Sequence, residues 1–224
     1  TPEKVELGKK IFFDPIFANE AKRYDMKYTY TCSTCHVVES GFRAGRMQGI
    51  ADGGYGFGNK GEARIKYPYY ANDSIDAQGA RPLAQLNVAY VENTFGGGQS
   101  GPEGQNIEGL GVHRQQFSKK IVEEAGYKEL FDKALPDLPE KERYTRKGAS
   151  FAISAFLRQL LTTQAPFQLW LKGDEDAMTD QQKKGATLFF GKAGCTGCHY
   201  EKNLGSMKFE ALGVDDLYEH GGIN

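Results

Sequence analysis

Cys32-Ser33-Thr34-Cys35-His36 and Cys195-Thr196-Gly197-Cys198-His199 decide the reading of this chain. A C-x-x-C-H run is the attachment sequence of a c-type haem. Its two thiols add across the porphyrin vinyl groups as thioethers. The two intervening residues let both sulfurs reach one edge of a single macrocycle. The adjacent histidine then presents its imidazole to the iron. The two runs use all four cysteines of the 224 residues. One four-cysteine zinc site is the plainer alternative, but it gives no reason for a histidine directly after both pairs. A dithiol redox pair suits either run alone, not both. The chain therefore reads as a two-haem cytochrome.

Working outward, each run is preceded by a related segment. Leu7-Gly8-Lys9-Lys10-Ile11-Phe12-Phe13-Asp14-Pro15 comes before the first. Lys183-Lys184-Gly185-Ala186-Thr187-Leu188-Phe189-Phe190-Gly191 comes before the second. Val5, Leu7, Ile11 and Phe12 make an apolar stripe, so residues 3–13 read as a helix that Asp14-Pro15 stops. Thr179-Asp180-Gln181-Gln182 has capping-box form and starts the second. A helix ending in paired phenylalanines, then a haem run, occurs twice, and this repeat argues for two related domains.

Between the repeats, residues 37–112 are rich in glycine and hold no helical or strand period. Their aromatic residues argue against disorder. They read as ordered loops packed over the first haem and reaching toward the second, with a short helix at 81–90. Helix returns over 114–134 and, more strongly, over 145–162, where Ile153, Phe156, Leu157, Leu160 and Leu161 face inward. Pro166 ends that stretch and the domain boundary falls near 163–178. Trp170, the one tryptophan, reads as a packing residue of a helical linker. The fold class expected is mainly α: two cytochrome c-like helical domains, 1–162 and 163–224, each around one covalently bound haem, with long ordered loops.

A net charge of −1 suggests neither nucleic acid nor an anionic membrane as partner. No stretch approaches eighteen apolar residues. The start at Thr1-Pro2-Glu3-Lys4 fits a mature, processed product. Covalent haem attachment implies assembly outside a bacterial cytoplasm.

These residues resemble the bacterial di-haem cytochrome c peroxidase family, which includes di-haem enzymes that oxidise tryptophans on a partner protein. The resemblance is carried by the 7–15 segment, the two haem runs, Leu86-Asn87-Val88-Ala89-Tyr90, and Phe151 to Phe190. It implies a peroxidatic haem held by Cys32, Cys35 and His36. A second, electron-entry haem would be held by Cys195, Cys198 and His199. Hydrogen peroxide would be reduced to water with electrons from a small donor, a cytochrome c or a cupredoxin, in the periplasm, and a homodimer is compatible with it. A non-catalytic electron-transfer cytochrome and an enzyme oxidising a partner protein are the alternatives.

Within that resemblance the distal acid–base group falls to Glu103, in the loop before the long helix, with Glu108 in reserve. Sixth ligands would come from Met47 or His113 at the first haem and from Met207 or His220 at the second. His113 also reads as a surface histidine at a helix start. Three departures stand out. Phe95-Gly96-Gly97-Gly98 replaces an aromatic pair between the haems. Arg81 falls near the asparagine of the family's calcium site. The chain stops at Asn224, before the usual sixth ligand of the second haem, as if shortened or missing a segment.

Overall fold

The computed structural model describes residues 1–43, 50–56, 65–77, 84–91, 101–206, 208 and 213. Met47, Arg81, Phe95 to Gly98, Met207 and His220 lie outside the described residues. Nine α-helices are found among those described: α1 (Pro2–Phe13), α2 (Cys32–Cys35), α3 (Pro102–Val112), α4 (Lys119–Glu124), α5 (Lys128–Ala134), α6 (Glu140–Arg143), α7 (Arg146–Leu157), α8 (Pro166–Leu171) and α9 (Asp180–Phe190). Sheet among the described residues is one antiparallel pair, β1 (Gly54–Tyr55) and β2 (Ile65–Lys66). None of the described helices is long and apolar enough to cross a membrane. The chain divides into two compact units, with the break between Leu160 and Leu161.

The first unit is built on the crossing of α1 and α7. Thr1 caps α1, accepting the Lys4 amide at 3.4 Å. Pro2 sits where a missing N–H costs nothing. Leu7, Gly8, Ile11 and Phe12 form its buried stripe. That stripe meets Ala149, Ala152, Ile153 and Phe156 of α7. The helices touch at Gly8, where an added Cβ would lie 1.9 Å from the Ala152 carbonyl oxygen. Asp14 ends α1 with three jobs: its amide donates to the Lys10 carbonyl, and its carboxylate accepts the Ile16 amide at 2.9 Å and the Tyr127 hydroxyl at 2.6 Å. The last bond ties α1 to the start of α5, whose Phe131 is fully buried.

Several expectations change here. Residues 102–112 are not loop but helix α3, started by Pro102 at its first position. Asn106 donates to the Ser154 hydroxyl at 2.9 Å, and Ser150 donates to the Glu103 carbonyl at 2.6 Å, so α3 packs on α7 through polar bonds. The helix expected over 114–134 is two, α4 and α5, separated at Gly126, which turns with φ 75°. The helix expected to reach 162 stops at Leu157; Leu160 lies beyond it, partly buried, and Leu161 is exposed. Of the helix expected at 81–90, the described part holds one short turn, Val88–Tyr90.

A second cluster, Ala18, Ala21, Met26, Tyr30, Ala51 and Tyr70, gathers the β1–β2 segment. At its centre Asp52 is fully buried. It accepts the Lys22 amide at 2.8 Å and pairs with the Arg114 guanidinium. A buried carboxylate is tolerated because that cation and amide replace its water.

The second unit runs from Leu161 to Asp216. Its helix α9 begins with the capping box read from the sequence: the Gln182 amide donates to Thr179 Oγ1 at 3.3 Å, and the Thr179 amide to Gln182 Oε1 at 2.8 Å. Trp170 belongs to α8, half-buried, its ring 6.1 Å from Phe167. Phe167 stacks on Phe190 at 5.5 Å. Among the described residues of this unit, Met178 alone is buried.

Candidate haem sites

The first run sits where the main chain of α1 ends. The Thr31 hydroxyl donates to the carbonyls of Ile11 and Phe12, at 3.3 and 3.1 Å. Its amide donates to Thr34 Oγ1 at 2.9 Å. Thr34 is fully buried, so the residues between the cysteines do not only set a spacing; Thr34 holds Thr31, which latches the run to α1. Cys32 and Cys35 open and close the single turn of α2. The His36 amide donates to the Cys32 carbonyl at 2.9 Å, carrying the turn into the histidine.

The ring of His36 is held from two sides. Its Nδ1 lies 2.9 Å from the Phe42 carbonyl oxygen, to which it donates. That leaves Nε2 as the ring's ligating nitrogen, the arrangement of a metal-bound histidine. Phe12, first of the phenylalanine pair, packs a tilted ring 6.4 Å from His36. Phe42 adopts φ 58°, in the left-handed region. A non-glycine residue there costs roughly 1 kcal/mol or more. Packing of the Phe42 ring on Phe12 and Phe156, at 5.9 and 6.5 Å, offsets it.

The second run repeats this device. The His199 amide donates to the Cys195 carbonyl at 3.0 Å. His199 Nδ1 donates to the Leu204 carbonyl at 2.6 Å. Leu204 has φ 57°. Phe189 packs 6.1 Å from His199, and the Phe189–Phe190 pair is edge-on at 5.0 Å, as Phe12–Phe13 is at 5.1 Å. The shared pattern therefore extends past the cysteines to a left-handed residue five or six positions after the histidine.

Two observations test whether these residues suit a haem. Each histidine has its Nδ1 proton placed and its ring oriented before any metal is considered. Next to Cys32 lies the Gln115 side chain, and its buried carbonyl oxygen lacks a partner among the described residues. A buried acceptor of that kind normally has a partner, so a bound group or its water belongs there. The residues fit. Burial pushes an unattached Cys32 thiol up to about 11, which suits a thiol meant to become a thioether rather than a free thiolate.

The remaining predicted residues fall in different places. Glu103 lies in the first turn of α3. Both carboxylate oxygens take the Arg158 guanidinium, one of them at 2.8 Å. This fork-to-fork pair holds the Glu103 carboxyl below its ordinary range. The pair lines an open cavity of about 410 Å³ with Lys4, Val5 and Phe151. Glu108 is exposed on the same helix. His113 caps the end of α3 rather than a helix start, and its Nδ1 lies 2.8 Å from the buried Asp76 carboxylate. The described residues bring together no group of three or more His, Cys, Asp or Glu side chains that could hold a metal ion. Sequence reasoning missed Phe42, Leu204, Gln85 and Gln115. For the first two the only signal is a position five or six residues after the histidine.

A family model described as di-haem cytochrome c peroxidase matches residues 2–176. The chain is 27% identical to the methylamine utilization protein MauG of Methylorubrum extorquens, over 96% of this chain and 54% of that protein. It is 28% identical to the cytochrome c peroxidase Ccp of Escherichia coli, over 99% of this chain and 42% of that protein. With the cytochrome c551 peroxidase of Pseudomonas aeruginosa identity is 27%, over 93% and 54%. Among solved structures, a MauG-like protein associated with microbial copper homeostasis matches with a TM-score of 0.65 at 23% identity, covering 95% of this chain and 56% of that one. The chain spans about half the length of the relatives it matches.

Proposed function

This chain belongs to the di-haem cytochrome c peroxidase family, and from that premise we propose that it is an oxidoreductase reducing hydrogen peroxide with two covalently bound c-type haems. The observation that carries the proposal is the duplicated ring clamp: two attachment runs, each with its histidine Nδ1 donating to the carbonyl of a left-handed residue. Bound haem would supply the redox-active iron that peroxide and electrons need.

The chain's own residues then have separate tasks. Cys32 and Cys35 would hold one haem by thioethers, and Cys195 and Cys198 a second haem. His36 and His199 would ligate through Nε2, with Phe12 and Phe189 restricting ring rotation. The first haem belongs to a domain of residues 1–162 and is the peroxidatic one; the second belongs to 163–224 and is where electrons enter. The division of the chain between Leu160 and Leu161 supports a boundary near there. Sixth ligands are drawn from Met47 or His113 and from Met207. Glu103 is the proposed distal acid–base group; its pairing with Arg158 keeps it ionised but weakens it as a base, so taking a proton from peroxide requires that pair to open. The donor is a small cytochrome c or cupredoxin, the setting is periplasmic, and a homodimer is the assembly proposed.

Oxidation of a partner protein is the second reading, favoured by the match to MauG over nearly the whole chain. Steady-state turnover separates the readings. Peroxide consumption should depend on a reduced cytochrome c or cupredoxin, vanish in His36→Ala, and fall roughly 10²–10⁴-fold in Glu103→Gln if Glu103 is the proton acceptor. Turnover that survives His36→Ala overturns the peroxidase reading.

A further inference from the structure

The two histidine clamps differ in one respect. Among the described residues, the hydrogen-bond partner of the His199 ring is the Leu204 carbonyl. The ring of His36 has a second neighbour: the side-chain amide of Gln85, whose Nε2 as placed lies 3.3 Å from the same Nδ1. Gln85 is buried, 7% exposed. Its main-chain amide also donates to the Phe42 carbonyl, at 3.3 Å. One residue thus addresses both members of the first clamp.

Proton placement decides what that amide must present. Phe42 offers only a carbonyl oxygen, so the bond to it requires the proton on His36 Nδ1. A nitrogen carrying its proton cannot also accept one. The Gln85 atom beside it must therefore be the oxygen, since amide oxygen and nitrogen are exchanged by a half-turn that heavy-atom positions scarcely distinguish. The Nδ1 proton is then shared by two acceptors. The Phe42 carbonyl accepts both the His36 ring and the Gln85 main-chain amide, one on each lone pair.

We propose that Gln85 is a positioning residue for the first haem, acting through His36: its side-chain oxygen draws on the Nδ1 proton, makes the imidazole a stronger donor to iron, and holds the first haem at a lower reduction potential than the second. The inference rests on the reading that His36 and His199 are the proximal ligands. Hydrogen bonding to the outer nitrogen raises the basicity of a ligating imidazole. A more basic ligand favours the ferric state, and burial keeps water from competing for the proton. The second clamp has an exposed histidine and the Leu204 carbonyl.

Redox titration of the holoprotein, followed by its optical spectrum, tests this with Gln85→Leu and Gln85→Glu. Leucine removes the acceptor, so the lower-potential wave should rise. A roughly tenfold change in the ferric-to-ferrous ratio at a fixed potential corresponds to 59 mV for one electron. Glutamate strengthens the acceptor and should move the same wave down, so the test stands if the leucine variant does not fold. The iron–histidine stretch of the ferrous first haem should weaken in Gln85→Leu and strengthen in Gln85→Glu, with the second haem unmoved. Both variants titrating like the parent, or a shift in the upper wave, overturns the inference while leaving the two-haem reading intact. A parent protein with fewer than two haems per chain overturns that reading and this inference with it.

Discussion

The same short unit is present twice in this chain and is supported in two different ways. In the first copy, α1 is buried along Leu7, Gly8, Ile11 and Phe12, and its end is bonded to the haem run through Thr31. In the second, α9 buries no residue, and His199 is exposed. Gly8 and Gly185 stand at the same place, four residues before the first phenylalanine of each pair. An alanine methyl at Gly8 would strike α7, whereas one at Gly185 meets nothing. The first copy is joined to a buried core, whereas among the described residues of the second unit Met178 alone is buried.

The sharpest way to break that comparison is to deny each unit its haem. Cys195→Ala with Cys198→Ala should leave the second unit without a core and open to protease, because among its described residues only Met178 is buried. Cys32→Ala with Cys35→Ala should cost the first haem yet preserve most helical signal, since the cluster around Phe131 and Ile153 does not depend on it. Circular dichroism and limited proteolysis of the two variants read this directly, and equal loss in both would refute the contrast.

Asp52→Ala comes next. It strands Arg114 against a buried cluster and should cost about 3 kcal/mol in denaturant unfolding of the first unit. Gly8→Ala forces a methyl into the Ala152 carbonyl and should destabilise by about 1–3 kcal/mol. Gly185→Ala should stabilise α9 by up to about 1 kcal/mol. Opposite signs at these equivalent positions would sharpen the comparison, and equal signs would end it.

The smallest effect is pH-dependent. Arg158 lowers the Glu103 carboxyl from its ordinary 4.5, so the folded state binds that proton less readily than the unfolded chain. The pair's stabilisation is complete above the unfolded value and is lost as pH falls through the lower folded one. Both ends are partly exposed, so the effect should stay below about 1 kcal/mol. Glu103→Gln should flatten stability between pH 6 and pH 3 by about that much.

What the sequence made legible was whatever repeats or has a local signature. The haem runs, the phenylalanine pairs and the Thr179–Gln182 box are all of that kind. Helix α3 was hidden because Gly104, Gly109 and Gly111 lower its propensity and blur its apolar stripe, while the polar bonds from Asn106 and to Glu103 that pack it on α7 leave no periodicity. The end of α7 at Leu157 was hidden by the apolar residues that continue past it. Left-handed backbone at Phe42 and Leu204 has no side-chain signature, as glycine would have provided. Gln85 reaches His36 across 49 residues of chain, a contact that only the tertiary fold creates.

The central claim is that one of two unlike haems reacts with peroxide. A spectrum of the half-reduced holoprotein, before and after one equivalent of hydrogen peroxide, tests it most directly. The ferric signal of the haem on His36 should be lost and then recover only when a reduced donor is added, with the haem on His199 as the expected route of return. Two haems that show nothing beyond slow bleaching would contradict it and leave an electron-transfer cytochrome in its place.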